Sequence, residues 1–210
     1  AWILNMVSKL SDNGVAGFIL ANGALSGGSE EYNIRKKLVE NGLVEAIVIL
    51  PPNMFYTTTI SVTLWIINKN KAERTVQLND VIKNYRERKE EVLFMDLREV
   101  GIPLEKKFIQ FSDANIDLIS STYHEWQLQD SHYKDVSEFC YSANIEEIKK
   151  KDYSLVPSKY IEFINRDENI NFEEKMIGLQ SEFSELLQSE KESKGDLLNV
   201  FKELGYEIKL

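Results

Sequence analysis

The spacing of hydrophobic positions changes several times along the chain, and each change marks an element. Ile3, Leu4, Val7 and Leu10 recur at helical spacing in residues 1–11, and Asp12-Asn13-Gly14 supplies the turn that stops the helix. No capping residue opens that helix and the chain begins with Ala1, so the reading expects a terminus cut inside a domain. Val15–Ala21 is an unbroken apolar run of strand length, the pattern of a strand covered on both faces. After a loop with Gly27-Gly28, residues 30–41 read as a helix with acids at its start and Gly42 as its stop. Residues 43–50 (LVEAIVIL) are a second buried strand. Strand, helix and strand in this succession predict a right-handed parallel crossover.

A third strand occupies residues 60–68 (ISVTLWIIN), but only residues 51–59 separate it from the second, and a parallel crossover needs about a dozen or more. It is expected to pair antiparallel at the edge of an α/β sheet. Residues 69–91 hold Lys69, Lys71, Arg74, Lys83, Arg86, Arg88 and Lys89, with Leu78, Val81, Ile82 and Tyr85 as one narrow apolar stripe, which predicts an inserted helical arm. A strand over 91–97, a turn at Gly101–Pro103 and a helix over 113–127 capped by Ser112 follow. Residues 137–164 are mixed and aromatic, with one short helix over 145–151.

From Phe172 the spacing becomes that of a heptad. Phe172, Met176, Leu179, Phe183 and Leu186 step by four and three, and Leu197 and Leu204 resume the frame after a polar break over 190–195. Little chain remains to cover this seam. It reads as a helix that meets a partner, or as an amphipathic helix folded onto its own domain.

Composition narrows the class. Apolar residues are 43% and charged residues 28% of the chain, in the range of folded globular proteins. The formal charge of −9 repels a polyphosphate unless the cations are grouped, which disfavours tight independent DNA binding. Cys140 is the sole cysteine, so no internal disulfide forms, and neither a signal peptide nor an apolar run of about 18–20 residues occurs. The chain reads as a soluble cytoplasmic protein with no membrane partner.

Several chemistries lack their parts. His124, His132 and Cys140 do not fall at metal-ligand spacing, so no metal site is expected. No nucleophile elbow or phosphate-binding loop appears, and Gly27-Gly28 is too short for a dinucleotide fingerprint. The most unusual segment is the loop Pro51–Thr59 (PPNMFYTTT), which sets two aromatics and three threonines between apolar strands. Loops beyond the carboxyl ends of parallel strands are where such sheets bind ligands. Phe55 or Tyr56 would stack on a planar group while Thr58 and Thr59 donate hydrogen bonds; alternatively Phe55 caps the sheet edge and the threonines suit strand entry.

The runs GVAGFILANGALSGG and IRKKLVENGLVEAIVILPPNMFYTTTISVTLWIINKNK, followed by VLFMDLREVG, TYHEW and FCYSANIEEIKKKDYSLVPSKYI, resemble the modification (M) subunit of type I restriction-modification systems, which methylate adenine at N6. The resemblance covers nearly the whole chain and several segments in order. It implies the carboxy-terminal half of a Rossmann-like, S-adenosylmethionine-dependent methyltransferase sheet that ends in an antiparallel edge strand, followed by a mainly helical region. On that reading residues 1–100 are the back half of the catalytic domain, 101–170 a mixed helical extension and 171–210 a partner-binding region.

In this family S-adenosylmethionine sits on a glycine-rich loop after the first strand, and an Asn-Pro-Pro-aromatic motif after the fourth holds the adenine amino group. Neither motif occurs in these residues, and Pro51-Pro52-Asn53 has similar letters in the wrong order. No catalytic or cofactor-binding residue is therefore assigned, and the chain alone is expected to be inactive. Phe55 matches the position of an aromatic that related enzymes hold against an adenine flipped out of double-stranded DNA, with Tyr56, Thr58 and Thr59 beside it. The family further implies a specificity (S) subunit, a second M subunit and a restriction (R) subunit as partners, with the seam from Phe172 to Leu204 in the specificity contact. The arm 69–91 departs from the family's spacing, and is read as a solvated charged helix or a DNA approach. A rival reading is a non-catalytic module that docks a partner; a second is an unrelated α/β enzyme, which would need a cofactor loop or catalytic cluster within the chain.

Overall fold

A computed structural model describes residues 2–79, 81–105, 107–164 and 172–206. Helix α1 (Trp2–Lys9) leads into β1 (Val15–Ala21), a 3-10 turn at Asn22–Leu25, α2 (Ser29–Glu40), β2 (Val44–Ile49) and β3 (Val62–Asn68). Strands β4 (Arg74–Leu78) and β5 (Val81–Tyr85) form a separate hairpin before β6 (Glu91–Asp96). A smaller hairpin, β7 (Ile102–Leu104) and β8 (Phe108–Gln110), precedes α3 (Asp113–Gln127), β9 (Cys140–Asn144) and α4 (Ile145–Lys150). Helix α5 (Phe172–Glu203) belongs to a second unit, residues 165–210, distinct from the first, residues 1–164. The boundary expected between 170 and 171 lies outside the described residues.

The main sheet runs β1-β3-β2-β6-β9. Strand β3 pairs antiparallel with β2, as its short connection requires, yet it lies between β2 and β1 rather than at the margin. Strands β1 and β2 are thus parallel to each other with β3 inserted. The antiparallel strand that does end the sheet is β9, beside β6. It comes from the stretch expected as a helical extension, where CYSAN has no clear alternation to announce a strand. Strand β1 is at the opposite edge with alternate residues exposed, Val15 at 55% and Ile19 at 47%, so it is not covered on both faces as its apolar run implied.

Strands β2 and β6 are the most deeply buried, and their side chains alternate between two cores. Ile47, Trp65 and Phe94 join one cluster, against which α1, α2 and α4 place Val7, Leu38 and Ile148. Val48, Leu93 and Met95 join the other, covered by Trp126 and Ile119 of α3. Ser112 caps α3 with a reciprocal capping box to Asn115, and Asn144 caps α4 through the Glu147 amide. Among the described residues no helix is long and apolar enough to cross a membrane.

Candidate functional site

Because β1, β2 and β6 run parallel, their carboxyl ends lie on one side of the sheet, and that side carries the loop 51–59 and the β7–β8 hairpin. The loop is a folded turn rather than a slack connection. Asn53, in the left-handed region at φ 58°, donates its amide to the Thr59 carbonyl at 3.3 Å, and the Thr58 amide donates to the Phe55 carbonyl at 3.1 Å. The Asn53 carbonyl in turn accepts the Ile109 amide at 3.2 Å, which ties the loop to β8.

This turn separates the two aromatics. Phe55 is half-buried and packs with Met54 against the second core, whereas Tyr56 is 81% exposed. The Tyr56 ring makes an edge-on contact with Phe108, centroids 5.0 Å apart. Thr59 is exposed and Thr58 half-buried, so all four expected residues share the loop but present different atoms to solvent. Nearby, Asp96 at the end of β6 is closed by Arg98, whose guanidinium donates to it at 2.6–3.1 Å, so it is no free acid.

The arm 69–91 is a hairpin, not a helix. Thr75, Val76, Val81 and Ile82 favour strand, and Asn79 takes the left-handed conformation of the tight turn (φ 53°). Several of its cations are turned inward, though Lys89 is exposed. Lys71, 1% exposed, donates to the Val44 and Glu91 carbonyls at 2.6 and 2.7 Å; burial lowers its ammonium to about 8. Arg88, equally buried, faces Glu45 at 3.4 Å and donates to the Arg86 and Gln127 carbonyls. Arg86 grips Glu91 through both terminal nitrogens at 2.9 and 2.8 Å, and Arg74 donates to the Asn70 carbonyl. A β-bulge between Val44 and Ala46 aims Glu45 into this cluster. The signal for it was in the sequence: a lone acid inside a strand that is otherwise apolar needs a buried cation. Burial and the neighbouring Glu45 also hold the Tyr123 hydroxyl above its ordinary range.

Helix α5 spans 32 residues, about 48 Å at 1.5 Å per residue, and continues through the polar break without interruption. Phe172, Met176, Leu179, Phe183, Leu186, Leu197 and Leu204 are all exposed, and no residue of the helix is buried. The heptad positions from Phe172 to Leu197 thus all fall on this one helix, with Leu204 just past its end.

The family model of the N-6 DNA methylases matches residues 1–169. The chain belongs to this family. Similar relatives include the type I restriction enzyme HindI methylase subunit of Haemophilus influenzae, 34% identical over 99% of the chain and 44% of that protein. The MjaVIII methylase subunit of Methanocaldococcus jannaschii is 37% identical over 88% of the chain and 29% of its own length. The solved type I methyltransferase subunit from Streptococcus thermophilus matches with a TM-score of 0.62 at 28% identity, over 78% of the chain and 30% of that structure. The chain therefore spans less than half the length of each of these proteins.

Methylases of this kind use S-adenosylmethionine as methyl donor, and the described residues do not fit it. A Cβ added at Gly27 would collide with Glu31 of the protein's own helix, and Arg35 already occupies the Ala24 and Gly27 carbonyls, so the glycine loop offers no cradle. A groove of ≈340 Å³ between α3 and the sheet is lined mostly by apolar side chains such as Leu50, Leu64 and Ile116, with Ser120, Tyr123 and His124 as its polar members and no carboxylate for ribose hydroxyls or a charged amino group. Nor does any group of three His, Cys, Asp or Glu among the described residues form a metal site.

Proposed function

We propose that this chain is the carboxy-terminal part of the modification subunit of a type I restriction-modification system, a DNA adenine-N6 methyltransferase, and that it supplies the wall against which the target base rests. The observation that carries this reading is Tyr56, a large ring 81% exposed on a hydrogen-bonded turn at the carboxyl ends of parallel strands. The adenine amino group is engaged in pairing inside a duplex, so the base has to be extruded before it is methylated. An aromatic that stacks on it returns about 1–3 kcal/mol of the unstacking cost. In this reading Thr59 and Thr58, on the same loop, donate hydrogen bonds to the base, while Phe55 packs against the core and anchors the loop. S-adenosylmethionine is held by polypeptide outside this chain, and the exposed edge of β1 is the side on which that polypeptide adds to the sheet.

In the same reading α5 docks the specificity subunit, which brings in a second modification subunit and, in the full complex, the restriction subunit. Sequence recognition and most of the DNA affinity then come from that partner, which accords with a net charge of −9 here. The protein works in the cytoplasm, where its DNA is. The test uses the full-length subunit assembled with its specificity subunit on a cognate duplex. Tyr56→Ala is expected to lower methyl transfer roughly tenfold to hundredfold with an unchanged unfolding midpoint; unaltered turnover would reject the role.

A further inference from the structure

The β7–β8 hairpin is attached to the loop 51–59 at two independent points. The Ile109 amide donates to the Asn53 carbonyl at 3.2 Å, and the Phe108 ring meets Tyr56 edge-on with centroids 5.0 Å apart at 69°. Among the described residues Phe108 is the one ring in contact with Tyr56, which is 81% exposed, and a surface tyrosine loses rotational freedom when it stacks. An edge-on ring holds its partner through the quadrupole of the aromatic system. Such a contact removes part of the ordering cost before the ligand arrives. Lys107, exposed on the same hairpin, has its ammonium 5.9 Å from the Phe108 centroid, which sets a cation beside the aromatic pair on a chain of acidic balance. Aromatic rings combined with a nearby cation are how proteins hold an unpaired base and its phosphate.

We infer that Phe108 is a positioning residue that holds the Tyr56 ring in the orientation in which it stacks on the extruded purine. The inference rests on the target-base reading of the loop, and it adds a second element, from a different part of the chain, to that site. It also commits to the class of ligand: a purine base already out of the helix, not a base inside the duplex.

The experiment uses the full-length subunit with its specificity subunit and two cognate duplexes: one with the native adenine for turnover, and one with 2-aminopurine at the target position, which has no 6-amino group to methylate and whose fluorescence reports its stacking. Phe108→Ala is expected to shift that fluorescence in the same direction as Tyr56→Ala does and to reduce kcat on the native duplex roughly tenfold, by loss of about one aromatic contact, with KM for S-adenosylmethionine unchanged. Phe108→Tyr should restore both readouts. Phe108→Leu, which keeps the hairpin packed, should not; restoration by leucine would mean that the ring only fills space and would overturn the inference. Tyr56→Ala is measured alongside, with the double variant. If Phe108 acts through Tyr56, the double variant is no worse than Tyr56→Ala alone. Effects that multiply would overturn the positioning role while leaving the loop's role intact, as would an impaired Tyr56→Ala beside a normal Phe108→Ala. A normal Tyr56→Ala would instead reject the target-base reading itself.

Discussion

The loop 51–59 and the hairpin arm 69–91 are both surface segments rich in chemically active side chains, and they use them in opposite ways. The loop hydrogen-bonds its own backbone and leaves Tyr56 and Thr59 toward solvent. The arm does the reverse, burying Lys71 and Arg88 to 1% exposure and pairing Arg86 with Glu91. Seven cations in a row of residues therefore do not make a basic face. What counts is how many are left after the backbone carbonyls and buried acids of the same domain have taken theirs, and that depends on Glu45, 43 residues upstream of Arg88.

The sharpest way to break this contrast is to remove the arm's buried cation. Arg88→Met leaves Glu45 without its charge partner in the core and should destabilise the chain by about 3–5 kcal/mol, read by chemical denaturation; a shift below about 1 kcal/mol would mean that the pair is solvated and the arm loosely held. Next comes pH. Burial holds the Lys71 ammonium at about 8 against an ordinary 10.5, so between those values the unfolded chain binds the proton that the folded chain has released. Folded-state stability from this group rises with pH across that window. The difference in unfolding free energy between the native chain and Lys71→Met should grow in favour of the native chain from pH 8 to pH 10, and a flat difference would contradict it.

A smaller effect distinguishes hairpin from helix. Asn79 sits at φ 53°, so Asn79→Ala should cost about 1 kcal/mol while Asn79→Gly is neutral or better; a helical arm would rank alanine above glycine. Smallest of all, Lys83→Ala and Lys89→Ala should each change stability by less than about 0.5 kcal/mol and leave the salt dependence of DNA binding by the assembled complex unaltered. A reduced salt slope would return the arm to the DNA-facing surface.

Much of the fold was legible because its elements carry strong periodicity. The runs at Val44–Ile49 and Val62–Asn68, the capped helix after Ser112 and the heptad from Phe172 all became the expected elements. Strand order was less accessible: the apolar run Val15–Ala21 implied a strand covered on both faces, yet β1 lies at the edge with alternate residues exposed, because β3 takes the place beside β2. Strands β7, β8 and β9 are short or lack alternation, and the arm's β-branched residues were outweighed by its charges. At the site, the loop stood out through its composition. Which aromatic faces solvent depends on the turn's hydrogen bonds, and Phe108 reaches Tyr56 from residues that read only as a turn.

Photocrosslinking is the most direct test. A cognate duplex with 5-iodouracil in place of the target adenine, irradiated in the full-length assembled complex and mapped by mass spectrometry, should attach to Tyr56 within the peptide spanning residues 51–59. Attachment wholly outside that peptide, in a complex that still methylates native DNA, would show that the loop does not face the extruded base.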